Sequence, residues 1–145
     1  MIFTGLTFGL ALSACINVSH AVDKPAIQNF LNGTTWDVSD SPFENADIDV
    51  YHLSEIKDLD FDWGYSISFN ENEFSSNYSA PCGNDCFTSV YGNYEFVKDS
   101  VIHITVTNIN RSGFCEKKSQ TLNRDAGKFT LSKMENGYKL ERYHG

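Results

Sequence analysis

Apolar and polar residues alternate strictly from Lys57 to Asn70. Leu59, Phe61, Trp63, Tyr65, Ile67 and Phe69 fall on one side, and Asp58, Asp60, Asp62, Gly64, Ser66, Ser68 and Asn70 on the other. A period of two over such a run is the pattern of a strand with one buried face. Gly64 marks a bend or bulge within it. Shorter runs rich in β-branched and aromatic residues predict strands at Thr35–Val38, Asp49–Leu53, Glu73–Tyr78, Ser89–Val97, Val101–Asn108, Phe129–Lys133 and Tyr138–Arg142. Gly113–Thr121 is a further candidate. Asn70-Glu71-Asn72, Lys98-Asp99-Ser100 and Asn136-Gly137 read as hairpin turns. Ahead of the strands, Ile27, Phe30 and Leu31 would share one face of a short helix over Pro25–Leu31, with Asp23 as its N-cap.

Many short strands joined by tight turns predict an all-β fold. The first choice is a small antiparallel up-and-down barrel with a short N-terminal helix, because closure removes exposed edges; a β-sandwich is the alternative. The chain has 145 residues, of which 41% are hydrophobic, which suits one folded domain. No repeat or heptad series is visible.

The first residues have a different character. No charged residue precedes Asp23, and Ile2 to Val18 is an apolar run with a few small residues. That is the core of a secretory signal, and residues 1–21 are expected to serve as one, leaving a single domain over 22–145. Two processing sites compete. Ser19-His20-Ala21 is a small-x-small site that would release a chain starting at Val22. Leu12-Ser13-Ala14-Cys15 resembles a bacterial lipobox, which implies lipidation of Cys15 and a membrane anchor through acyl chains. Both routes place the domain outside the cytoplasm, in a bacterial cell envelope or secreted.

A further resemblance lies at the first strand. Phe30-Leu31-Asn32-Gly33-Thr34-Thr35-Trp36 is similar to the entry of lipocalin-like (calycin) domains, where a Gly-x-Trp motif leads into strand one. This chain has one extra residue between Gly33 and Trp36. The resemblance implies a barrel with an internal cavity or packed core, with Trp36 across its closed end, and it implies no catalytic residues.

Cysteine usage fits export. With Cys15 in the signal, Cys82, Cys86 and Cys115 remain, enough for one disulfide and a spare thiol. The turn-rich segment Pro81-Cys82-Gly83-Asn84-Asp85-Cys86 favours a bridge to Cys115, with either Cys82 or Cys86 as the partner. Zinc held by Cys82, Cys86, Cys115 and His103 is the competing arrangement, disfavoured in an oxidising compartment.

Charge is unevenly spread. Nine acids and one base stand between Asp37 and Asp62, a balance equal to the whole chain's −8. The stretch from Arg111 onward carries eight bases against four acids, so an electrically two-sided domain is expected. This acidity argues against a general nucleic-acid binder. Asp58-x-Asp60-x-Asp62 has the opening of a calcium loop, but Trp63 stands where the turn glycine belongs and Phe69 where the closing Glu belongs. Asn-x-Ser/Thr occurs at Asn17, Asn32, Asn77 and Asn110, the acceptor pattern for N-glycosylation.

No nucleophile–base set, phosphate loop or metal motif appears, so binding without catalysis or cofactor is expected. Two kinds of binding are open. A small apolar ligand would sit inside the barrel, with Trp63, Tyr65 and His103 as candidate contacts. Alternatively, the acidic surface, with Asp58, Asp60 and Asp62 as candidate partner-binding residues, would capture and block a basic protein such as a lysozyme or a secreted nuclease toxin.

Overall fold

The computed structural model describes residues 28–56 and 63–145. Its strands are β1 (Thr34–Val38), β2 (Val50–Glu55), β3 (Gly64–Asn70), β4 (Glu73–Ser79), β5 (Cys86–Lys98), β6 (Val101–Gly113), β7 (Gln120–Met134) and β8 (Gly137–Arg142). They close into an antiparallel barrel in the order β1-β2-β8-β7-β6-β5-β4-β3. Strand direction alternates all the way round, as expected, and no open edge remains. The chain order departs from a simple meander at one place. β1 lies between β2 and β3, with Trp36 opposite Glu55 on one side and Val38 opposite Tyr65 on the other.

The three expected hairpins all form, pairing Asn70 with Glu73, Lys98 with Val101 and Met134 with Gly137. Gly137 sits at φ 146° against the Leu53 carbonyl, where a Cβ would collide. This is the reason for glycine in that turn. The opposite end carries the longer connections, among them Ser39–Asp49 and the loop between β6 and β7.

Inward residues of every strand fill the barrel. Ile67, Phe69, Phe74, Val90, Tyr94, Ile102, Ile104, Val106, Phe129, Leu131 and Leu140 are buried in one cluster. At the hairpin end Leu31 is fully buried, and Phe30 packs on Phe96 and Tyr138, with Trp36 edge-on to Tyr138. Trp36 therefore stays at the rim of the core, its Nε1 donating to Thr34 Oγ1 at 2.8 Å. Cys86 and Cys115 form the disulfide, and Cys82 is an exposed free thiol.

Several expectations need correction. Gly113–Thr121 is not a strand: Phe114 to Ser119 form the β6–β7 loop, held by the disulfide. β5, β6 and β7 run longer than the hydrophobic pattern suggests. Of the expected helix, Gln28–Leu31 contains no helical residue and enters a turn, while Pro25 to Ile27 lie outside the described residues. The signal segment with Cys15, and Asp58, Asp60 and Asp62 with the first half of the alternating run, also lie outside them.

The domain is not electrically two-sided either. The acidic β1–β2 connection lies against basic residues of β6, β7 and β8. Arg111 pairs with Glu44 at 2.7 Å, and Arg142 with Asp49 at 2.5 Å. Barrel closure makes β8 the neighbour of β2, which brings the two charged parts of the sequence together.

Candidate functional site

The β1–β2 connection crosses one end of the barrel and is fastened from beneath. Phe43 turns inward at φ 59°, and its ring meets Tyr51, Phe74 and Phe129 edge-on at 5.1, 5.2 and 5.3 Å. The Phe43 N–H donates to Tyr51 Oη at 3.1 Å. Burial pushes the Tyr51 phenol above its ordinary value.

Three arginines bind the loop backbone or its acids. Arg124 donates to the carbonyls of Phe43 and Glu44. Arg142 donates to those of Ala46 and Ile48 as well as to Asp49. Arg111, with a side chain only 5% exposed, also donates to the Lys118 carbonyl. Carbonyls in this irregular loop have no sheet partners, so guanidinium groups satisfy them.

Beside the loop opens a cleft of about 730 Å³, where Asp40, Glu44 and Asp47 face Arg111, Lys117 and Arg124. Tyr65 lines it too. Burial, then the Asp40 and Glu44 carboxylates, raise the Tyr65 phenol. Mixed charge of this kind suits a polar partner group better than an apolar ligand.

The residues expected to hold a ligand do not converge. Trp63 is 51% exposed and lines a small hollow of about 150 Å³ with Asp37, Ile56 and Tyr65. The Tyr65 ring lies 4.8 Å from that of Tyr78, tilted by 39°. Only Ile67 and Phe69 of the alternating run's described part are fully inside. His103 does not point into the barrel; it lies on the outer wall because Ile102 and Ile104 take the inward positions of β6. Its Nε2 lies 2.9 Å from Asp125 Oδ1 and its Nδ1 3.4 Å from Glu95 Oε1. The Asp125 hydrogen bond raises the imidazole above its ordinary value, against a smaller opposing effect of burial. The Gly127 N–H, then His103, lower the Asp125 carboxyl.

Among the described residues, no group of three or more His, Cys, Asp or Glu is placed to hold a metal ion. The zinc set is excluded by the disulfide, which uses two of its thiolates. The strap arginines and Phe43 escaped sequence reasoning, since Phe43 sits in an otherwise polar loop. Glu95 and Asp125 around His103 lie on two other strands.

No family model, curated protein or solved structure matches the chain. A closed eight-stranded barrel does not by itself identify a lipocalin-like family.

Proposed function

We propose that the chain is an exported, non-catalytic binding protein that meets a basic protein partner through its acidic segment, Asp37 to Asp62. The observation that carries the reading is the filled interior. The inward positions are taken by the chain's own side chains, so recognition falls to the outer surface. The chain's net negative charge equals that of one segment, in which Asp40, Asp47, Asp49 and Glu55 are exposed. The arginine straps hold the β1–β2 connection in place, which lowers the ordering cost on binding. Trp63, half exposed beside Asp37, is the residue type that anchors interfaces. The Cys86–Cys115 disulfide is compatible with a site outside the cytoplasm, either periplasmic or lipid-anchored at Cys15.

The test is calorimetric titration of the full chain against a lysozyme and a cationic nuclease at low and physiological salt. Affinity is expected to fall with salt, and the triple variant Asp58→Lys, Asp60→Lys, Asp62→Lys to lose about tenfold or more. Unchanged capture by that variant sinks the reading. A second reading, a carrier of a small apolar ligand, has one observation in its favour: Phe43, which fills one end of the interior, comes from a loop and not a strand. Native mass spectrometry of protein from its own compartment separates the two. A small-molecule mass lost on denaturation favours the carrier, and a second polypeptide favours the acidic face.

A further inference from the structure

No Lys or Arg occurs between Gly64 and Val97. Those residues include the whole of β3 and β4 and nearly all of β5. Their outward positions form rows across the sheet. Thr35 lies opposite Ser68, Ser68 opposite Ser75, and Ser75 opposite Tyr91. Beside that row, Ser66 lies opposite Asn77, Asn77 opposite Ser89, and Ser89 opposite Asn110. Outer strand faces ordinarily carry mixed charge, lysine above all. The β7–β8 wall does, with Lys128, Lys139 and Glu141. On β3, β4 and β5 as far as Asn93, the wall instead presents hydroxyls and amides, with Glu73 its one acid, around one exposed aromatic ring, Tyr91.

The local backbone is built around that ring. Tyr91 pairs with Asn108 and Gly92 with Val106, so Thr107 is an extra residue that bulges β6. Thr107 Oγ1 donates to the Tyr91 carbonyl at 3.3 Å. Gly92 is required, since a Cβ there would run into the Thr105 carbonyl and the Phe74 ring. Bulges re-aim side chains, and they recur beside binding sites. Here one lies next to a cleft of about 370 Å³ lined by Ser68, Asn70, Glu73, Ser75, Tyr91 and Thr107. That volume is within the range of about 300–1,000 Å³ common for small-ligand sites.

The lining selects the ligand. It has no base for an anion, and a single carboxylate is a poor cation site. Its hydroxyls and amide exclude a purely apolar guest. A neutral sugar matches it on every count: an apolar C–H face for the Tyr91 ring, and hydroxyls that both donate and accept toward Ser, Thr and Asn. We infer that the β3–β6 wall at Tyr91 is a binding site for a neutral oligosaccharide, separate from the acidic segment. The strand spacing of about 4.8 Å repeats the polar groups across the wall, which suits a chain of sugar units more than one ring.

Saturation-transfer NMR on the full chain tests this, with cellohexaose, maltohexaose and xylohexaose as separate probes. Transfer to ring protons of at least one is expected. Tyr91→Ala should weaken that binding by about tenfold or more, as loss of an aromatic anchor does. Ser75→Lys should abolish it by filling the cleft. Tyr143→Ala, which removes a tyrosine of similar exposure outside the cleft, should leave it unchanged. No transfer to any of the three sugars overturns the inference. So does transfer that survives both Tyr91→Ala and Ser75→Lys, or transfer only to an anionic polysaccharide.

Discussion

Replacing Phe43 by alanine tests whether the loop over the barrel end belongs to the core. The ring is 2% exposed and touches three other aromatic rings. Truncating a buried phenylalanine costs about 3–5 kcal/mol, of which part is the cavity left behind. The left-handed backbone adds a second, independent expectation. A non-glycine residue at φ 59° costs roughly 1–2 kcal/mol that glycine does not. Phe43→Gly should therefore be more stable than Phe43→Ala, by about 0.5–1 kcal/mol, although glycine is ordinarily the worse choice. Urea unfolding followed by tryptophan fluorescence reads both, provided the slope stays constant between variants. An alanine cost under about 1 kcal/mol would refute the plug, because no fully buried ring is that cheap to remove. A glycine variant less stable than alanine would refute the left-handed turn.

Removing the disulfide through Cys86→Ser or Cys115→Ser should cost about 3–4 kcal/mol in the chain-entropy model, while Cys82→Ser costs under about 0.5; equal midpoints for all three in denaturant would contradict the pairing. Because the folded-state value of His103 is raised, its stabilisation is fully present below the unfolded-state value of 6.5 and is lost as pH rises through the folded value. For Asp125, whose folded value is lowered, the contribution is present above the unfolded value and lost as pH falls through the folded one. The stability gap between wild type and His103→Asn should thus be widest between those limits, near pH ~5, and close toward alkaline pH; a gap that is flat with pH, or widens above neutrality, argues against the pairing. Arg124→Met should cost about 1–3 kcal/mol by leaving the Phe43 and Glu44 carbonyls without donors, and hydrogen exchange should show the β1–β2 connection opening first. Protection unchanged in that loop would mean that the strap holds nothing.

The strands that the sequence makes legible are those with apolar or aromatic residues at most inward positions. β3 and β8 alternate cleanly, β4 does so around the buried Ser76, and their hairpin turns carry Asn or Gly. β7 is hidden because its first half faces inward with Leu122, Arg124 and Ala126, between exposed Asn123 and Asp125. An arginine on the shielded side breaks the hydrophobic pattern, yet it is there to serve the loop above it. Phe43 is the converse, a core residue in a stretch that reads as an acidic loop. Both are consequences of one event, the loop folding over the barrel end, and neither half is interpretable before the other is placed. The position of β1 between β2 and β3 has the same origin: period two assigns a face to each residue but no neighbour to each strand.

The same distinction bears on where binding takes place. Inward residues are constrained by packing, so their identity says little about partners. Outward residues are free to vary, and here they vary by wall. The β7–β8 wall mixes charges, and next to it His103 of β6 lies between Glu95 of β5 and Asp125 of β7. The patch around Tyr91, on β3, β4 and β5 as far as Asn93, has no base and one acid, Glu73. An ordinary solubility requirement would scatter lysines over both. Their absence from the Tyr91 patch supports the two proposals, a cationic partner for the acidic segment and an uncharged ligand for the Tyr91 patch. The two are separable by experiment: salt should weaken the first and leave the second unchanged.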